Sequence, residues 1–253
     1  MMEKASVGIE VFSLNEQTGV KPAVDAVMNG KIVVLKVGPV FSLVFNPNIT
    51  GLSEKLNILK DRHNNQILSA ICTYEQAKKI VDVNRVNQDF FRLSGYFCGK
   101  ALIRIPVNTT IPNPVPFNSE DDTLQFLDFE EAHPIRSAFM EELALRGCKF
   151  LSITSANIHS APTIEDLESA KMLAALFNIK TSFLGMHDVQ TVVADIPADT
   201  GTHKGSYIIL SFCNPQKIEV KRLANKTDRE MTERYLKELF TKVHTQTPLE
   251  YAL

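Results

Sequence analysis

The sequence predicts an α/β domain built on a twisted mixed sheet flanked by helices. Three observations carry that expectation. Runs of β-branched and apolar residues, such as Ile32, Val33, Val34 and Leu35, read as strands buried on both faces. Segments with helical periodicity alternate with those runs instead of forming a separate block. Glycine, asparagine and proline punctuate the junctions, as at Asn29 and Gly30.

Along residues 1–20 a short apolar alternation around Val7, Ile9 and Val11 predicts an N-terminal arm or edge strand. Residues 21–29 read as a helix: Pro22 suits a first turn, Ala23, Val24, Ala26 and Val27 supply an apolar face, and Gly30 follows as the stop. Residues 31–37 predict a buried strand, broken by Gly38 and Pro39, and 40–45 are a second apolar run. A helix is expected over 52–61, with Leu52, Leu56, Ile58 and Leu59 as its apolar positions. A strand over 66–73, a helix over 74–81 and a strand over 97–106 follow, and the Pro- and Asn-rich 109–118 reads as a loop. A helix over 134–147 ends at Gly147 and leads into a strand over 149–153. The next helix, 164–177, has Pro162 and Thr163 as its cap region. Strands are expected over 189–196, 207–212 and 217–222, and an amphipathic, charge-rich helix over 228–244.

Composition bounds the function classes. With 253 residues, 44% hydrophobic and 22% charged, the chain is an ordinary globular sequence with ample material for a core. A formal net charge of -2 argues against a global electrostatic grip on nucleic acid, and leaves room only for a local basic groove. Cys72, Cys98, Cys148 and Cys213 are far apart and form no C-x-x-C pair, so neither a zinc site nor a disulfide framework is expected. No apolar stretch approaches the ~20 residues of a membrane helix. The N-terminus lacks the pattern of a signal peptide. A cytoplasmic protein with no membrane partner is the expectation, and no Walker-type or G-x-G-x-x-G loop is present.

Two short segments carry chemistry. Lys60 and Arg62 flank one residue at the end of the helix over 52–61. A point charge beside a planar fork suits phosphate oxygens. Read locally, the same pair also fits a helix C-terminus whose cations complement the dipole. Ser155 and Asn157 stand in TSANIHSAPT, a cluster of small polar residues between a buried strand and a helix, where donors converge on an anion or simply cap the next helix. His63 and His159 lie beside these segments and read as loop or packing residues.

K-x-R followed by T-S-A-N-x-x-S-x-P, in this order and in these surroundings, resembles the YrdC family. Supporting segments are the opening helix and strand around 23–34, Ala132-His133-Pro134 as a D-H-P-like turn, Gly205 to Ile209 as a small-Ser-aliphatic strand, and Val220 to Ala224 as a closing V-x-R-x-G. The resemblance spans roughly 20–225 and implies a single YrdC-like domain over 21–225, with 1–20 as arm and 226–253 as C-terminal helix and tail. That tail is too short for the extra domain of longer family members.

The resemblance implies an ATP-binding nucleotidyltransferase of the threonylcarbamoyl-AMP synthase type. Such a protein joins threonine, bicarbonate and ATP into an adenylate for tRNA modification and releases pyrophosphate. Lys60 and Arg62 would be the catalytic phosphate grip, and Ser155, Asn157, Ser206 and Arg222 would complete nucleotide binding. ATP would be a substrate accompanied by magnesium, with no tightly bound cofactor and no protein-held metal. The amino-acid motif P-T-x-T-x-Y/F-G-L reads KVGPVFSL here: Phe41 and Leu43 survive, while Val37 and Pro39 offer no hydroxyl. Lys36, Val37 and Phe41 are thus an altered substrate pocket. Asp128 stands where the family carries a cation. The alternative implied by these departures is a non-catalytic YrdC-like module that binds double-stranded RNA, tRNA or a regulatory partner.

Overall fold

The computed structural model describes residues 8–14, 17–37, 40–62, 68–92, 99, 101–110, 118, 120–128, 134–158, 161–195, 207–222 and 249–251. Its strands are β1 (Val11–Ser13), β2 (Ile32–Val37), β3 (Val40–Phe45), β4 (Ser69–Ile71), β5 (Ala101–Pro106), β6 (Thr123–Leu127), β7 (Leu151–Ser155), β8 (Thr191–Asp195), β9 (Ile208–Ser211), β10 (Ile218–Arg222) and β11 (Leu249–Tyr251). Its helices are α1 (Val20–Met28), α2 (Leu52–Leu59), α3 (Tyr74–Ile80), α4 (Asp89–Arg92), α5 (Pro134–Leu145) and α6 (Leu167–Phe183). All the strands join one sheet in the order β1-β8-β2-β3-β7-β4-β6-β5-β9-β10-β11, with parallel and antiparallel pairs mixed.

The pleat of β2 explains why helices cover both faces. Val33, Leu35 and Val37 point into a core with α1 and α5, whereas Ile32 and Val34 point into a second core with α2 and α6. A third cluster sits under α3 and the β4-β6-β5-β9-β10 half of the sheet. Phe177 of α6 is fully buried in the second core, where truncation to alanine costs about 3–5 kcal/mol.

Helix ends follow their local chemistry. Gly30 and Gly147, at φ +80° and +85°, take the left-handed conformation that closes α1 and α5. Thr73 caps α3 in a capping box with Gln76. Helix α6 departs from the predicted 164–177. Its cap is Asp166, which accepts from the Ser169 N–H at 2.8 Å, instead of the Pro162–Thr163 region. It also runs on past Phe177, because Thr181 fills the next inward position and returns its hydroxyl to the Asn178 carbonyl at 2.9 Å.

Strands β6 and β11 and the one-turn α4 had no sequence expectation. The expected helix over 228–244, and most of the 109–118 loop, lie outside the described residues; within 226–253 the described part is β11, parallel to β10.

Candidate functional site

A cavity of about 640 Å³ opens where the middle strands of the sheet meet. Strand β7 lies between β3 and β4, so Ser155 stands opposite Ser42, and Ile153 opposite Ser69. The floor comes from Ser42 of β3, Ser69 of β4, Gln125 of β6 and Leu102 of β5. Gln125 donates to the Ser69 hydroxyl at 2.6 Å. The loop after β7 supplies Asn157 and the 161–163 stretch on one rim, and Tyr207 and Arg222 supply another. Arg62 reaches the cavity from the end of α2.

The turn that delivers Arg62 is built by Asp61 and Lys180. Asp61 adopts φ +55°, which reverses the chain at once after α2. Lys180 of α6 donates to the α2 carbonyls of Ile58 and Leu59 at 3.1 and 3.2 Å, and pairs with Asp61 at 2.6 Å. The cation that complements the α2 dipole is therefore Lys180. Lys60 and Arg62 are freed from that duty and turn toward β7.

Arg62 donates to Thr154 Oγ1 at 2.6 Å and to Ser155 Oγ at 3.4 Å, while its buried Nε makes no hydrogen bond. Lys60 is fully buried and does not itself line the cavity. Its ammonium donates to the Ser155 carbonyl and, at 3.2 Å, to Asn157 Oδ1. Asn157 Oδ1 also accepts from the Ser155 hydroxyl at 2.6 Å, and its amide donates to the Ala161 carbonyl. Lys60 is thus a brace under the S-x-N loop. Burial, and secondarily the neighbouring Arg62 charge, push the Lys60 ammonium down to about 6. Burial also lowers Arg62 from its ordinary value.

Among the described residues neither cation has a carboxylate partner, and no aspartate or glutamate lines the cavity. Arg222 donates its Nε and Nη2 to the Tyr207 carbonyl at 3.2 and 2.9 Å, which holds its guanidinium on the rim. The described residues contain no group of three His, Cys, Asp or Glu able to hold a metal ion.

The sequence-predicted residues divide cleanly. The structure brings Arg62, Ser155, Asn157 and Arg222 to the cavity, with Lys60 behind them. Ser206, His63 and His159 lie outside the described residues. The altered substrate pocket is not brought there. Phe41 points away into the core with α2 and α6, because the pleat that aims Val40 and Ser42 at the cavity sends Phe41 to the other face. Lys36 donates to the Glu165 carbonyl at 2.8 Å and lies 5.0 Å from the Phe41 ring centre, so its charge is spent outside the cavity. Val37 is buried in the core with α1 and α5. The Asp128 carboxylate accepts from the Tyr74 N–H at 2.9 Å, at the start of α3, and does not line the cavity. Ser42, Ser69, Thr154 and Gln125 are cavity residues that sequence reasoning missed. Only strand register, invisible in one sequence, places them together.

No family model matches the chain, and no curated protein matches it in sequence. Solved structures do. Sua5 from P. abyssi, complexed with L-threonine, superposes with a TM-score of 0.65 at 15% identity, over 96% of this chain and 63% of that one. YciO from E. coli gives 0.61 at 14%, over 85% and 95%. Full-length HypF in a phosphate- and nucleotide-bound form gives 0.58 at 20%, over 81% and 29%. This chain spans under two thirds of the Sua5 chain. Identities this low establish the fold, which is that of Sua5 and YciO, the YrdC-like fold.

Proposed function

We propose that this protein is a divergent YrdC-type protein whose cavity binds ATP by its phosphates. One observation carries the reading: Lys60 and Arg62 converge beside the Ser155–Asn157 loop, Arg222 stands on the rim, and among the described residues no carboxylate pairs with any of them. Burial first, and then repulsion from half-buried Arg62, makes the Lys60 ammonium resist ionisation. An incoming polyanion relieves both costs. Arg62 then offers its guanidinium from the cavity wall, and Ser155 and Asn157 fix the phosphate and ribose side. The volume falls within the ~300–1,000 Å³ range of small-molecule sites. Magnesium arrives on the triphosphate as part of the substrate.

The fold's Sua5 neighbour is complexed with L-threonine and its HypF neighbour is phosphate- and nucleotide-bound. These support an adenylate-forming reaction: a carbamate made from bicarbonate and an amino acid attacks the α-phosphate of ATP, and pyrophosphate leaves. The protein's part is positioning and charge stabilisation by Arg62 and the loop it grips. Threonine is the first amino acid to test, for a tRNA-modifying pathway.

A second reading is favoured by the apolar wall of Val40, Leu102, Leu127 and Ile153. It is a non-catalytic module that holds nucleotide, tRNA or double-stranded RNA, or a regulatory partner. Incubation with ATP, labelled bicarbonate and a panel of amino acids separates the two. The first reading expects a labelled carbamoyl adenylate and pyrophosphate, both lost in Arg62→Met. ATP binding without pyrophosphate for any amino acid supports the second, and absence of ATP binding overturns the nucleotide assignment.

A further inference from the structure

Helix α6 is 17 residues long, about 25 Å, and its two faces differ in an unusual way. Ala170, Leu173, Ala174, Phe177 and Thr181 are buried against the domain. Yet Met172, Leu176, Ile179 and Phe183 point outward, exposed to 72%, 43%, 56% and 88%. Their spacing of four, three and four residues is a d-a-d-a register, the narrow seam by which one helix packs against another. Leu184 at the helix end and Ile58 of the neighbouring α2 extend the seam, each 42% exposed.

Among the described residues, the lysines of α6 are held in ion pairs and do not point a free charge into the seam. Lys171 pairs with Glu168 on the same helix, and Lys180 is turned onto Asp61 and the α2 carbonyls. The six side chains present roughly 600 Å², the upper end of what monomers expose as one apolar patch and close to the ~800 Å² per partner of a standard interface.

We infer that α6 is a homodimer interface, in which the α6 seam of a second copy packs antiparallel on the first about a twofold axis. Antiparallel pairing opposes the two helix dipoles. It sets Met172 against Phe183 of the partner subunit, a sulfur–aromatic pair, and Leu176 against the partner's Ile179. An isologous contact of this kind closes on itself and does not propagate into filaments. This interface lies apart from the cavity and stands whether or not the cavity binds ATP.

Sedimentation of the full chain across a concentration series tests the inference. The wild-type protein is expected to pass from monomer to dimer in the micromolar range. Phe183→Glu, and separately Met172→Lys, should each raise the dissociation constant at least tenfold, with circular dichroism unchanged, and melting temperature unchanged at concentrations where the wild type is monomeric, because both side chains are exposed. The double variant Met172→Lys/Phe183→Glu should regain the dimer, since antiparallel pairing alone brings opposite charges together. A wild-type chain that stays monomeric at several hundred micromolar, a dimer indifferent to the single variants, or a double variant no better than its parents would each overturn the inference.

Discussion

Replacing Lys60 by methionine should make the protein more stable near neutral pH, and the gain should shrink as pH rises. The ammonium is fully buried and its pKa falls from 10.5 to about 6. At pH 7 the folded protein therefore holds Lys60 largely neutral, while the unfolded chain binds a proton there. Keeping that side chain inside costs about 5 kcal/mol at pH 7, at 1.36 kcal/mol per pKa unit. Methionine has a similar length and no charge. It forfeits the hydrogen bonds to the Ser155 carbonyl and Asn157 Oδ1, worth about 2 kcal/mol together. The net gain is about 3 kcal/mol at pH 7 and about 1 kcal/mol at pH 8.5.

The direction follows from proton counting. Between pH 6 and 10.5 the unfolded state binds the extra proton, so raising pH stabilises the wild type through Lys60, by about 2 kcal/mol from pH 7 to 8.5. Below about pH 6 both states are protonated and the slope from this group vanishes. The buried thiols act oppositely, because burial raises Cys148 to about 11 and Cys213 above its ordinary value, but they enter only as pH approaches 9. Urea unfolding at pH 7.0, 7.5, 8.0 and 8.5 gives the two profiles. Parallel profiles for wild type and Lys60→Met, or a variant less stable than wild type at pH 7, would refute the picture of a buried, uncompensated ammonium.

Other substitutions follow from the same geometry. Lys180→Met removes the donor from the Ile58 and Leu59 carbonyls and from Asp61, and should lower stability by about 1 kcal/mol in urea titration while weakening ATP binding through a looser Arg62 turn. Asp128→Ala should cost about 1–2 kcal/mol of stability by leaving the buried Tyr74 N–H at the start of α3 without this acceptor, yet leave the ATP dissociation constant within twofold in calorimetry, since its carboxylate does not line the cavity.

Much of the fold was legible because its inner strands are fully buried and its helices are punctuated. β2, β3, α1 and α3 fall within a residue or so of their predicted bounds; apolar runs flag β2 and β3, and Pro22 and Gly30 flag α1. The elements without an expectation were those whose signal is tertiary. β6 is five residues with Gln125 at its centre, and it is a strand because β4 and β5 flank it. The start of α6 was misplaced because Asp166 competes with Thr163 as a cap, and only the Ser169 N–H decides between them.

The site shows the same division. Lys60, Arg62, Ser155 and Asn157 could be picked out by residue type and spacing. Their arrangement could not. Sequence alone ranked Lys60 and Arg62 as equals, whereas the structure makes Arg62 the residue facing the cavity and Lys60 the brace behind the loop. That difference depends on the left-handed Asp61 and on Lys180, which is 119 residues away in sequence. Likewise Phe41, one residue from cavity-facing Ser42, is turned away by the pleat.

Calorimetric titration of the full chain with magnesium-ATP tests the central claim most directly. The account predicts saturable one-to-one binding that loses at least tenfold affinity in Arg62→Met and weakens steeply with salt, because a polyanion is held by unpaired cations. It also predicts proton uptake at pH 7.5, read from the dependence of the heat on buffer ionisation, as Lys60 regains its charge beside the phosphates. Absence of ATP binding at millimolar concentration, or binding of equal strength in Arg62→Met, would contradict it.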